Sequence, residues 1–228
     1  MTGRPNLADR DIRQRQIVPP QKLAACHAVV IGVGAIGRQV ALALAAMGAG
    51  SLELFDHDTV GVENLACQGY WPENLGRLKV DATAQACRLI HADLPLVMHP
   101  ERFRRSVARA LAQTDKELAV FCCVDSISTR GMVWEAVKPH AGCFVDGRMS
   151  AEVIRVLASD KPSTDGYYTT TLFEESQAYA GACTAKSTIY TANIAAGLML
   201  GQFTRWLRAM PVERDVLLNL LSMELAVA

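Results

Sequence analysis

Gly32-Val33-Gly34-Ala35-Ile36-Gly37 stands between a continuous apolar run, Ala28 to Ile31, and a run with Ala and Leu at helical spacing, Ala35 to Met47. In that setting the glycines let a strand-to-helix turn close and bring backbone N–H groups at a helix N-terminus against an anion, which is the chemistry of holding a phosphate. Asp56 follows 19 residues after Gly37, at the end of the next strand-like run, where a carboxylate can bridge ribose hydroxyls. The competing reading of the glycines is tight packing of strand on helix with no ligand. The same fingerprint serves nicotinamide enzymes and other nucleotide binders. The histidines at 27, 57, 91, 99 and 140 sit in no recognisable catalytic setting, and no Gly-x4-Gly-Lys-Ser/Thr stretch offers a Walker-type ATP site.

The elements that must position these groups alternate along the chain. After the first strand and helix, Ser51 to Asp56 alternates as a strand and Lys79 to Ile90 repeats apolar groups every three or four positions. Leu96 to His99 is expected as a third strand, Ser106 to Gln113 as a helix, Leu118 to Val124 as a buried fourth strand and Thr129 to Val137 as a helix. Strands that are apolar on both faces, separated by helices, specify a mostly parallel, doubly wound α/β sheet of Rossmann type. Past Pro139 the pattern changes: Cys143 to Asp146 and Glu152 to Leu157 predict two strands joined by Gly147 to Ala151, an antiparallel C-terminal extension. A polar stretch from Ala158 to Ala182 is too long for a simple connector. A helix from about Lys186 to Arg208 and a β-rich tail at Val216 to Val227 complete the expected order.

Composition narrows the classes of function. The 228 residues carry 23 Lys plus Arg against 23 Asp plus Glu, without a basic block, which argues against nucleic acid and anionic membrane surfaces as partners. Half of the residues are apolar, enough for a core, so a disordered chain is excluded. Cysteines at 26, 67, 87, 122, 123, 143 and 183 form no Cys-x-x-Cys pair, so no zinc is expected. With a charged N-terminus in place of a signal peptide, reduced thiols and a cytoplasmic location are the expectation. Ile189 to Leu207 is interrupted by Asn193, Gln202 and Arg205, which predicts a buried helix and not a membrane span.

Further motifs stand in order: Arg15-Gln16-Ile17, Asp56-His57-Asp58-Thr59-Val60, Asn64-Leu65, Gly76-Arg77-Leu78-Lys79-Val80, and Asp125 with Arg130 five residues on. With the glycine loop they make the chain resemble the ThiF/MoeB/HesA family of adenylyltransferases related to ubiquitin-activating enzymes, over about residues 10 to 210. The resemblance implies one adenylation domain over 1–228, with an N-terminal arm at 1–25 carrying Arg15 and a crossover loop at 158–185. It implies MgATP-dependent adenylation of the C-terminal carboxylate of a ubiquitin-like or sulfur-carrier protein ending in Gly-Gly, with release of pyrophosphate. Gly32, Gly34, Gly37, Asp56, Asp58 and Asn64 would bind the nucleotide, Arg15 and Lys79 would neutralise phosphates, and Asp125 would hold Mg²⁺. Asp125 as a helix cap is the competing reading.

At one position the chain departs from the family: Cys67 occupies the place of an arginine that commonly reaches the phosphates, and Arg38, one turn into the first helix, is the candidate replacement. Cys183-Thr184 resembles the nucleophile that takes the acyl group from AMP in thioester-forming relatives, whereas Cys122, Cys123 and Cys143 are assigned to the core. The resemblance also implies a homodimer and a conjugating-enzyme-like acceptor. Two other readings are an NAD-dependent oxidoreductase on the same fold and a catalytically silent subunit of a heterodimeric activating enzyme.

Overall fold

The computed structural model describes residues 9–111, 113–173 and 187–228. A short helix, α1 (Pro20–Ala24), leads into β1 (Cys26–Ile31), α2 (Ala35–Met47) and β2 (Leu52–Phe55). Next come α3 (Glu63–Gln68), α4 (Lys79–Ile90), β3 (Leu96–His99), α5 (Arg105–Leu111), β4 (Glu117–Cys122) and α6 (Ile127–Val137). The last third holds β5 (Cys143–Ser150), β6 (Val153–Ser159), α7 (Tyr167–Thr170), α8 (Ile189–Leu207), β7 (Asp215–Asn219) and β8 (Glu224–Val227).

One eight-stranded sheet has the order β3-β2-β1-β4-β5-β6-β7-β8. The first five strands are parallel, and β6, β7 and β8 add to the β5 edge antiparallel, as the change of pattern past Pro139 predicts. The chain moves outward from β1 to β2 and β3, then returns to begin again with β4 on the other side of β1. That reversal opens a crevice beyond the carboxyl ends of β1 and β4, the place where such sheets collect ligands.

Both faces of the central strands are covered. Ala28 and Val30 of β1 face a core shared with α2, α4 and α8, including Leu44, Val80, Met199 and Phe203. Val29 and Ile31 face the second core with Val133 and Trp134 of α6. All four β1 residues are at most 2% exposed, which explains why the strand reads as an unbroken apolar run. Burying each Val, Leu, Ile or Phe contributes about 1.5–3 kcal/mol, so these two layers are the main source of stability.

Two local expectations are revised. Gly147 to Ala151 does not join two strands: β5 continues through Gly147 to Ser150, in register with β6 from Phe144↔Ser159 to Ser150↔Val153, and the turn closes at Ala151 with φ 52°. The polar stretch from Ala158 is also structured at its start. Tyr168 of α7 is 3% exposed and packs on Trp134 and Phe144 with ring centroids 4.6 and 4.9 Å away. An aromatic pair, Tyr167-Tyr168, thus anchors a segment whose composition alone reads as loop. Among the described residues no helix is long and apolar enough to cross a membrane.

One polar ladder crosses the second face near the β3 edge. Glu53 of β2 accepts from His27 Nε2 at 3.0 Å and from His99 Nε2 at 2.7 Å. Burial works against the Glu53 carboxylate, but the two imidazoles outweigh it and hold its pKa below the usual range. A depressed folded-state pKa contributes stability above the unfolded value, and that contribution is lost as the pH falls through the folded value. Glu53→Gln is therefore expected to cost about 1–2 kcal/mol at neutral pH. In urea denaturation the gap from the parent should close as the pH drops below about 4.3; a gap constant from neutral to acid pH would exclude this role.

Candidate functional site

The glycine loop follows β1 into the crevice. Gly32 has φ +86°, and a Cβ there would stand 2.8 Å from the carbonyl oxygen of Cys123, so the loop after β1 runs directly against the loop after β4. A Cβ on Gly37 would fall 1.8 Å from the Gly32 oxygen, because α2 lies hard against the turn it leaves. Gly34 differs: the nearest atom to a Cβ there is Gln68 Oε1 at 3.9 Å, so the space in front of Gly34 is open. Two of the three glycines are thus demanded by packing within the protein, and the third leaves room at the start of α2. No side chain caps α2, so its first N–H groups keep their capacity for an acceptor.

The peptides around Val33 are held from both sides. Asp56 Oδ2 accepts from Val33 N at 2.8 Å, and Tyr70 Oη donates to the Val33 carbonyl at 2.6 Å. Burial pushes the Tyr70 phenol above its ordinary pKa, so it remains a donor. Asp56 Oδ1 also accepts from Asp58 N at 2.9 Å. Each carboxylate oxygen keeps a second lone pair, which leaves Asp56 able to accept from ribose hydroxyls. Tyr70 had no signature in the sequence, since a tyrosine inside Gly69-Tyr70-Trp71-Pro72 reads only as turn.

Lys79 opens α4 and is 7% exposed. Its ammonium donates to Asp58 Oδ2 at 3.0 Å, and its backbone N–H donates to the Asp58 carbonyl at 2.9 Å. Burial opposes the charged form of Asp58, but the hydrogen bond and charge of Lys79 prevail and hold its carboxyl below the usual range. Two of the three ammonium protons remain for a ligand. Asp56, His57 and Asp58 offer ligand atoms within 4.8 Å of one another, although Asp56 is engaged by two amides and Asp58 by Lys79. Asn64 is 7% exposed, and its Oδ1 accepts from Gly61 N at 2.9 Å, fixing the loop that leads into α3.

Arg38 lies one residue beyond Gly37 and is 3% exposed. Its guanidinium carbon is 4.7 Å from the centroid of Tyr70 and 5.8 Å from that of Trp71. Among the described residues no carboxylate, carbonyl or hydroxyl accepts from it, and Nε is a buried donor without a partner. Burial lowers its pKa, with Tyr70 and Cys87 opposing. A second orphan, Gln68 Oε1, is buried beside Gly34. Cys67 supplies no cation here, and its thiol donates to the Glu63 carbonyl at 3.1 Å.

Asp125 stands in the turn between β4 and α6, exposed, and its carboxylate has no hydrogen-bond partner among the described residues. The cap of α6 is Ser126, whose Oγ accepts from Thr129 N at 3.3 Å, so Asp125 is free of the capping role that competed for it. Arg130 does not enter the crevice: it is 6% exposed, pairs with Asp146 and donates to the Val124 carbonyl.

One expected residue is not brought to this cluster. Arg15 pairs with Asp11 at 3.0 Å and Asp9 at 3.4 Å, on an arm held to the far end of α2 by Arg10 on the Ala45 carbonyl and Gln14 on the Met47 carbonyl. That end is about 20 Å from the glycine loop along the 13-residue helix. Cys183 lies outside the described residues. Cys122 and Cys143 are buried in β4 and β5, with Cys123 just beyond β4, and burial raises the pKa of all three thiols.

The glycine loop, Asp56 and the Asp58–Lys79 pair are thus joined at the carboxyl ends of β1 and β2, with the loop after β4 packed against Gly32. Compared with known families, residues 8–224 match the profile of the ThiF family. The chain belongs to the ThiF family. This ThiF-family chain is 32% identical over 151 residues to the adenylyltransferase and sulfurtransferase MOCS3 of Mus musculus, which covers 62% of this chain and 31% of that protein. It is 34% identical over 161 residues to MOCS3 of Bos taurus, covering 65% and 34%. The ubiquitin-like modifier-activating enzyme 5 of Drosophila ananassae is 32% identical over 112 residues, covering 44% of this chain and 28% of that protein. The chain thus spans about a third of the length of these curated relatives. Among solved structures, PaaA superposes with TM-score 0.78 at 17% identity, covering all of this chain and 84% of its own. E. coli MccB with AMPCPP and MccA also gives 0.78, at 13% identity, covering 100% and 73%. At those identities the likeness is one of fold, and it agrees with the mostly parallel sheet and antiparallel extension of this ThiF-family chain.

Proposed function

We propose that the chain uses MgATP to adenylate the C-terminal carboxylate of a small ubiquitin-like or sulfur-carrier protein ending in Gly-Gly. The observation that carries this reading is Arg38, a buried guanidinium without an acceptor among the described residues, one helical turn after Gly34 and over the rings of Tyr70 and Trp71. A buried cation left unpaired is costly, and polyphosphate is the anion that a glycine loop at a helix N-terminus accommodates.

The residues suit the chemistry. The carboxylate oxygen of the carrier attacks the α-phosphorus, the bond to the bridging oxygen of the β-phosphate breaks, and pyrophosphate leaves; no proton moves, because the carboxylate is already ionised. Two anions must meet, so cations at the phosphates lower the barrier most. Arg38 and the free protons of Lys79 supply that charge from this chain. Asp56 orients the ribose, and Asp58 holds Lys79 in place. Asp125 would hold Mg²⁺, which when bound neutralises phosphate oxygens and orients the leaving group. Arg15 of this chain is about 20 Å away, so a second copy would have to deliver its own Arg15, which favours the homodimer. Transfer to Cys183 would form the S–C bond, break the bond from the acyl carbon to AMP and release the thiol proton to water; a conjugating-enzyme-like acceptor would follow.

The test is ATP–pyrophosphate exchange with candidate carriers. Exchange that requires the Gly-Gly carboxylate is expected, with about a tenfold loss in Asp125→Asn that is partly recovered by excess Mg²⁺. A carrier adduct on a non-reducing gel, abolished by Cys183→Ser, is the expected sign of the thioester. No exchange with any carrier would turn the reading to a silent subunit, which Cys67 in the usual arginine position favours. Lys79 and Asp125 have no required role in hydride transfer, so nothing at the crevice favours the oxidoreductase.

A further inference from the structure

Asp125 carries an exposed carboxylate with no hydrogen-bond partner among the described residues, yet the backbone around it is tied at three points. Cys123 N donates to the Ile31 carbonyl at 2.8 Å, the Val124 carbonyl accepts from Arg130, and Ser126 caps α6. Arg130 is itself held. One of its nitrogens pairs with Asp146 Oδ1, and the nitrogen on Val124 also donates to the Gly147 carbonyl at 3.2 Å. Asp146 is wholly buried, and its other oxygen accepts from Arg148 Nε at 2.7 Å and from Tyr168 Oη at 3.0 Å.

We infer that Arg130, buttressed by Asp146, is a positioning residue that fixes the Val124–Asp125 turn so that the Asp125 carboxylate faces the crevice in one orientation. The inference rests on the proposed reading of Asp125 as the metal ligand. A buried ion pair is weak evidence for stability, because apolar side chains of the same volume often do as well. Three donors on one fully buried carboxylate, one of them reaching the peptide next to an otherwise unsupported ligand, are explained by orientation. Metal sites need such support: a ligand left to move by about 1 Å loses most of its value. Arg130 is suited to this by its planar fork, which spans Asp146 and the Val124 carbonyl at once; a lysine can keep the charge but not the span.

The test is binding of Mn²⁺, followed by electron paramagnetic resonance, to the full chain with an α,β-methylene analogue of ATP, so that no turnover enters the readout. Arg130→Lys is expected to raise the Mn²⁺ dissociation constant about tenfold. Tyr168→Phe, which touches only the far oxygen of Asp146, should lower the melting temperature while changing Mn²⁺ affinity less than about twofold. Ser126→Ala opens the same turn from its accessible side and should weaken Mn²⁺ about threefold, which keeps the test available if Arg130→Lys does not fold. Unchanged affinity in the folded variant, or a loss in Tyr168→Phe equal to that in Arg130→Lys, would overturn the inference. If the parent protein holds no Mn²⁺ with the analogue, or Asp125→Asn holds it as tightly, the metal assignment itself fails, which is a separate and recognisable outcome.

Discussion

Arg38→Met is expected to weaken MgATP binding about 100-fold while raising the melting temperature of the nucleotide-free protein. The two effects have opposite signs because they arise from one fact. The guanidinium is 3% exposed, has no acceptor among the described residues and leaves Nε unbonded. Its contacts with the faces of Tyr70 and Trp71 return about 1–2 kcal/mol, less than the several kcal/mol of taking an ion out of water. Methionine keeps the volume and the contact with the rings and removes the charge. Without nucleotide the variant should therefore be more stable. With nucleotide it should lack the charge-assisted hydrogen bonds that the phosphates would provide. Scanning calorimetry with and without MgATP reads both effects, and a variant with the parent's melting temperature and an undiminished ATP-dependent rise would remove Arg38 from the site.

Gly37→Ala carries the largest expected cost in stability, at least about 3 kcal/mol, or a drop of about 6–12 °C in melting temperature. The added methyl would stand 1.8 Å from the Gly32 carbonyl oxygen and 3.0 Å from Cys123 Cβ. Backbone cannot give way there without moving β1 from α2, and with it the two cores that meet at the switch point. Gly34→Ala is the informative companion. Its methyl meets only Gln68 Oε1, at 3.9 Å, so the fold should tolerate it within about 0.5 kcal/mol while ATP affinity falls. Urea denaturation and nucleotide titration on both variants would separate the packing and ligand roles that one glycine motif combines. Equal stability of Gly37→Ala and the parent would refute the packing argument.

Much of the fold was legible because it depends on local pattern. β1 reads as a buried strand since both of its faces are covered, and α2 reads as a helix since Ala, Leu and Val recur along it at helical spacing. The antiparallel extension was visible as two strand patterns without a helix between them. The turn at Ala151 comes later than the sequence pattern predicts, because Gly147 reads as punctuation; in the sheet Gly147 lies within β5 opposite Val156, with Met199 of α8 so close that a Cβ would stand 2.4 Å from its sulfur. Tyr168 is illegible for the converse reason: its neighbours are polar, and only the approach of Trp134 and Phe144 from α6 and β5 makes it core.

Within the site, the residues at motif spacing are legible in the sequence and the contacts that support them are not. Gly32, Asp56, Lys79 and Asp125 follow strand ends or open helices, positions that the alternation of elements already dictates. Tyr70 on the Val33 carbonyl, Asp58 on Lys79, and the Asp146 hub behind Arg130 join groups separated by 37, 21 and 16 residues. Cys67 in place of an arginine was legible as a gap, and Arg38 was a candidate to fill it on position alone.

The amino-acid sequence by itself therefore determined the strand and helix order, the glycine turn and the carboxylates at the strand ends, since periodicity and backbone chemistry act over a few residues. Only the tertiary structure decided which charges are spent and which are free. Strand order and register bring Asp146 to Arg130, while no group among the described residues accepts from the Arg38 guanidinium. They also leave Arg15 at the opposite end of α2, because whether a charge finds its partner depends on elements that meet only when the sheet is assembled.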